Sequence, residues 1–180
     1  KIINYTANKK KKKNASNGVT DILLDNLSIM DVDGIYIYGA LLFGLFIIIL
    51  LIREPKQIPF IIKSTALFVF IRAIFISLTH IGPILQQAPL ISNAIFRNLM
   101  FGADYFFSGH TGLPFLMALS FWENKYLRNI FLITSVIFGA SAIIGHYHYS
   151  IDVFAAFFIT YSIFHIAKIF FAKDYKIFID

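Results

Sequence analysis

Hydrophobic and polar residues fall in long blocks along this chain rather than alternating residue by residue. After a polar stretch over 1–33, the nineteen residues 34–52 carry no charge. As a helix they would rise about 28 Å, enough to cross a bilayer core. Arg53-Glu54-Pro55-Lys56 ends this run. A second run, 58–79, contains Lys63 and Arg72. Residues 80–103 include Gly82, Pro83, two glutamines, Pro89 and Asn93, and read as a loop with room for a short surface or re-entrant helix. A third run starts near Tyr105 or Ser108 and ends at Trp122, a fourth covers 129–144, and a fifth covers 151–171. Lys168, Lys173 and Lys176 close the last one. The pattern predicts an all-α membrane protein, a helical bundle with five spans in this chain. A polar N-terminal segment (1–33) precedes a transmembrane catalytic domain (34–172), and 173–180 form a tail. Within the first segment, Ile22, Leu23, Leu27 and Met30 recur at helical spacing and suit a short interfacial helix.

Composition agrees with this division. Hydrophobic residues make up 58% of the chain and charged ones 14%, against about 25% charged in soluble domains. Most of the net charge of +6 comes from the run Lys9–Lys13, so it does not indicate nucleic-acid binding. The expected partners are membrane lipids. With no cysteine in the chain, disulfides, thiolate nucleophiles and cysteine metal sites are excluded.

Alternating the spans assigns the connections to two sides. Arg53, Lys56, Lys125, Arg128, Lys168, Lys173 and Lys176 fall near the spans on one side, and only Arg97 on the other. The positive-inside rule makes the basic side cytoplasmic, including the C-terminal tail. The lysine run opposes this assignment, but it lies about 20 residues from the first span, at the edge of the rule's reach.

Two polar islands then share the non-cytoplasmic rim: Ser108-Gly109-His110-Thr111 and His146-Tyr147-His148-Tyr149-Ser150-Ile151-Asp152. His148 and Asp152 are spaced i, i+4, on one helix face. A carboxylate beside an imidazole fixes its tautomer and stabilises its charged form, making His148 a stronger base or nucleophile. Ser108 and Gly109 precede a helix start, where free N–H groups and the positive dipole end favour phosphate. His110 is placed to protonate a leaving oxygen, and Asp104, six residues upstream, to orient it. Arg72 lies deep enough in its span to face inward as a phosphate-binding group.

Blander roles compete at several positions. His80 and His165 suit interfacial side chains, and Lys63 can snorkel. Trp122, Tyr126, Tyr147 and Tyr149 fit an aromatic belt. Ser108 suits a cap better than a nucleophile, since there is no Gly-x-Ser-x-Gly elbow. His146, His148 and Asp152 could ligate zinc, although zinc-binding helices space histidines i, i+4. A metal-free site without a cofactor is therefore favoured.

The stretches Asp104-Tyr105-Phe106-Phe107-Ser108-Gly109-His110-Thr111 and His148-Tyr149-Ser150-Ile151-Asp152-Val153 resemble the paired motifs of the sphingomyelin synthase family. That family is a branch of the type 2 phosphatidic acid phosphatase superfamily. Weaker likeness extends over Val19–Asp33 and from Arg72 through Thr79-His80-Ile81-Gly82-Pro83, so that it covers most of 19–172. The resemblance implies six membrane helices, which would place the first ahead of Lys1. It also implies an active site facing away from the cytosol and a catalytic triad of His110, His148 and Asp152. The implied activity moves phosphocholine or phosphoethanolamine from a glycerophospholipid to ceramide or diacylglycerol without a metal. The chain departs from the wider superfamily in lacking an upstream Lys-x6-Arg-Pro. It also has Ser141-Ala142 where phosphatases place Ser-Arg. This favours the synthase branch, with a lipid phosphate phosphatase as the alternative. A non-catalytic lipid-binding membrane protein is the alternative of another class.

Overall fold

The computed structural model describes residues 19–79, 81, 82, 84 and 106–179. Among them the chain is helical throughout, without a strand. A five-residue helix, α1 (Ile22–Asn26), starts at Asp21, whose side chain accepts the N–H groups of Leu23 and Leu24. This is a standard cap for orphan amides at a helix start. A single turn of wider π-type winding (Gly34–Tyr38) leads without a break into α2 (Gly39–Arg53). Pro55 opens the short turn that joins it to α3 (Ile58–Leu78). Then come α4 (Gly109–Ser120), α5 (Lys125–Ile144), α6 (Ser150–Phe170) and α7 (Ala172–Ile179).

Among the described residues, four helical stretches are long and apolar enough to cross a membrane: Gly34–Arg53, Pro55–Leu78, Lys125–Ile144 and Ser150–Phe170. The expected third span differs. In the described chain it is α4, with 12 residues, about 18 Å of helix where a crossing needs about 30 Å. Ser108, with extended backbone, stops it at one end, and the turn at Phe121 stops it at the other. Most of α4 is buried around its whole circumference, as expected of a helix enclosed by others. It packs between α5 and α6. Gly112 lets it approach α3 and α6 closely. A Cβ there would lie 2.7 Å from the Phe68 ring and 2.8 Å from Thr160 Oγ1.

The two ends of the bundle differ in chemistry. At one end, α7 folds back under the core rather than trailing away as a tail. Phe178 is buried against Phe60 and Phe121, and Asp174 pairs with Lys63 at 2.6 Å. Lys63 therefore has an ionic partner as well as a route to the interface. At the other end lie the N-terminus of α4, the 145–149 turn and the start of α6.

Residues 19–33 are bound to that second end. Asp21 accepts the Ser150 N–H at 2.7 Å, Met30 N–H donates to Ile144 at 3.2 Å, and Tyr147 donates its hydroxyl to Asp33. This segment is a strap across the rim, beyond the interfacial helix expected from periodicity. Tyr147 and Tyr149 are buried and so do not belong to an aromatic belt. The reason is their hydroxyl partners: Asp33 for Tyr147, and the carbonyl of Gly82 for Tyr149. Trp122 and Tyr126 are exposed, as a belt requires.

Candidate active site

The two polar islands meet directly. The Ser108 N–H donates to the Asp152 carbonyl at 3.0 Å, joining the cap of α4 to the first turn of α6. From α5, Ser135 donates its hydroxyl to the Thr111 carbonyl at 2.7 Å. Two helices, α5 and α6, thus fix the N-terminal turn of α4, which carries Gly109 and His110.

Asp152 has two tasks. Its Oδ2 accepts the Tyr149 N–H at 3.2 Å, closing the N-terminus of α6 as a capping carboxylate does. The same oxygen faces His148 Nδ1 at 3.4 Å. That distance is long for a hydrogen bond, as in many unliganded sites whose geometry tightens around substrate. With Nδ1 turned to Asp152, His148 has Nε2 left for chemistry. Asp152 is almost fully buried, and its Oδ1 has no hydrogen-bond partner among the described residues.

His110 occupies the second position of α4, half-buried, within electrostatic reach of His148 and Arg72. Pro114 stands four residues on and has no N–H to close the turn onto the His110 carbonyl. The imidazole stacks on Tyr36, with ring centroids 4.0 Å apart, and meets Phe138 edge-on at 6.1 Å.

Arg72 reaches this turn from α3. Its Nε donates to the Phe107 carbonyl at 3.1 Å. A Cβ built on Gly109 would lie 3.6 Å from that Nε, an ordinary contact. Gly109 therefore leaves a methyl-sized space directly against the guanidinium. Ser108 caps the turn by accepting the Thr111 N–H at 3.4 Å. The first N–H groups of a helix have no intrahelical acceptor, so this space borders amide donors and a guanidinium, both suited to phosphate.

Of the residues expected from sequence, Arg72, Ser108, Gly109, His110, His148 and Asp152 come together at one end of the bundle. Asp104 lies outside the described residues, as do His80 and Arg97. His146 is buried with φ 56°. That left-handed backbone is uncommon for a side-chain-bearing residue. No group of three His, Cys, Asp or Glu side chains among the described residues is arranged to hold a metal ion.

Residues 102–169 match the family model for the PAP2 superfamily C-terminal domain. The matched PAP2 segment contains His110, His148 and Asp152, together with α4, α5 and nearly all of α6. It supports a PAP2-like membrane enzyme of the lipid phosphatase or phosphotransferase type. With the four membrane-length helices, it points to an integral membrane protein. No curated protein and no solved structure matches the chain. The sphingomyelin synthase branch within PAP2 rests on the motif resemblance alone.

Sequence reasoning missed Tyr36, Tyr147, Asp33 and Asp21, all of which border this site. Tyr36 sits in an apolar run, where its hydroxyl gives no signal. Asp21 and Asp33 stand in a polar stretch among other carboxylates.

Proposed function

We propose that this chain transfers a phospholipid head group, phosphocholine or phosphoethanolamine, from a glycerophospholipid to ceramide or diacylglycerol. The observation that carries the reading is the meeting of His110, the His148–Asp152 pair and Arg72 around the capped start of α4. His148 Nε2 attacks the phosphorus of the donor diester. The bond from phosphorus to the glycerol oxygen breaks, and His110 delivers a proton to that oxygen, releasing diacylglycerol. Asp152 stabilises the positively charged imidazole of the phosphorylated His148. In the second half, the acceptor hydroxyl attacks phosphorus, His110 takes its proton, and the phosphorus–nitrogen bond breaks. His148 is restored, and the head group now sits on the acceptor.

Charge supports a diester substrate. One guanidinium and a helix start suit the single negative charge of a phosphodiester, and Ala142 stands where phosphatases place a second arginine. A lipid substrate is supported by an apolar groove of about 530 Å³ between α2 and α5. Phe138 lines it and also meets His110. The basic residues near the opposite end of the bundle support placing the site on the non-cytoplasmic side.

A lipid phosphate phosphatase, with water as acceptor, is the second reading, and the PAP2 match favours it equally. Membranes containing the protein, supplied with phospholipid and a fluorescent ceramide or diacylglycerol, separate the two. Transfer predicts a new fluorescent head-grouped lipid. Release of free phosphate or free head group without a new lipid would overturn it.

A further inference from the structure

Tyr36 is 1% exposed, yet it carries a hydroxyl into a helical bundle where a phenylalanine would be cheaper to bury. It stands in the π-wound turn that begins α2. Such single wide turns inside helices are frequent at functional sites. Three contacts converge on its side chain. Its ring lies nearly parallel to the His110 imidazole, 21° from coplanar at 4.0 Å. Its hydroxyl faces the Ser108 side chain. Tyr147 packs against it at 4.7 Å and is itself tied to Asp33, the residue just before the π-wound turn.

The imidazole needs such a support. The outer torsion of histidine has no sharply preferred value, so the backbone of α4 alone leaves the ring plane loose. A general acid must hold its N–H within about 3 Å of the oxygen it protonates. Stacking on one face and the Phe138 edge contact restrict that rotation.

We propose that Tyr36 is a positioning residue for the head-group reaction: its buried ring, stacked on the imidazole, sets the plane of His110. The assignment rests on His110 acting as the acid and base of the proposed transfer.

The test uses the full chain in membranes, with phospholipid donor and a fluorescent acceptor, comparing wild type with His110→Ala, Tyr36→Phe, Tyr36→Leu and Tyr36→Met. Losing the ring should lower kcat about tenfold to a hundredfold, as small misplacements of catalytic groups do, with KM unchanged. It should also move the alkaline limb of the pH–rate profile by about half a unit or more. Arg72 and His148, the charged neighbours of His110, are untouched in these variants. Tyr36→Phe keeps the ring and loses only the hydroxyl, so it should stay within about tenfold of wild type with the limb in place.

Leu and Met variants with wild-type kcat and pH profile would overturn the proposal. So would a Phe variant as inactive as His110→Ala, which also decides the matter if the other variants do not accumulate. A fully active His110→Ala would instead overturn the reading of the site itself.

Discussion

Asp21 accepts the backbone N–H of Ser150 at 2.7 Å, across 129 positions of sequence. The bond fastens the strap to the start of α6, two residues from Asp152. Burial of Asp21 opposes its charge, but the hydrogen bonds from Ser150, Leu24 and Leu23 outweigh this and hold its carboxyl below the usual 3.8. A lowered carboxylate contributes its stabilisation fully above the unfolded value and loses it as pH falls through the folded one. The strap should therefore stay protease-resistant at neutral pH and yield only below about pH 4. Asp21→Ala should be cut within 19–33 at pH 7. Equal resistance of the two proteins at pH 7 would contradict the latch.

Asp152→Asn separates the two tasks of that side chain. The amide oxygen can still cap Tyr149, so the protein should accumulate and melt normally. It cannot offset the charge of a phosphorylated His148. Head-group transfer should fall about a hundredfold or more, the scale of a lost acid–base partner. Steady-state kinetics in membranes checks this, and activity within twofold of wild type would remove Asp152 from the mechanism.

Arg72→Lys tests the guanidinium. A lysine keeps the charge but not the planar fork that bonds Phe107 and faces Gly109 at once. A hydrogen bond to a charged group contributes about 1.5–3 kcal/mol, which corresponds to roughly a tenfold to hundredfold loss in kcat/KM. An Arg72→Lys enzyme with unchanged kcat/KM would show that only charge is needed.

Gly112→Ala should damage the site from below. The new methyl meets Phe68 and Thr160 at under 3 Å, and overpacking of this kind costs about 1–3 kcal/mol. Thermal melting in detergent should show the loss. An unchanged melting temperature would mean that α3 and α6 move apart freely.

The all-helical membrane architecture was legible because uncharged runs of bilayer length have few other folded uses. The meeting of the two polar islands, through Ser108 and Asp152, was legible because antiparallel neighbouring helices return every second connection to one end of the bundle, even though α4 is too short to cross on its own. Arg72 was legible from its depth, since an arginine so far inside a span needs a polar neighbour, here the Phe107 carbonyl. The length of α4 was not legible. Its apolar residues continue past both ends, and the Ser108 cap and the turn at Phe121 that stop it are local backbone features. Tyr147 was misplaced because a tyrosine at a span end suits both the interface and a buried hydrogen bond. Only its partner Asp33, 114 positions away, decides between them.

The central claim is that a lipid head group passes through His148. Mass spectrometry of lipids from cells making the wild-type protein or His148→Ala, at equal protein levels, tests it most directly. The account predicts a new head-grouped ceramide or diacylglycerol product, matched by diacylglycerol released from the donor, in wild-type cells alone. Identical lipid profiles in the two strains, or the same new product in both, would contradict it.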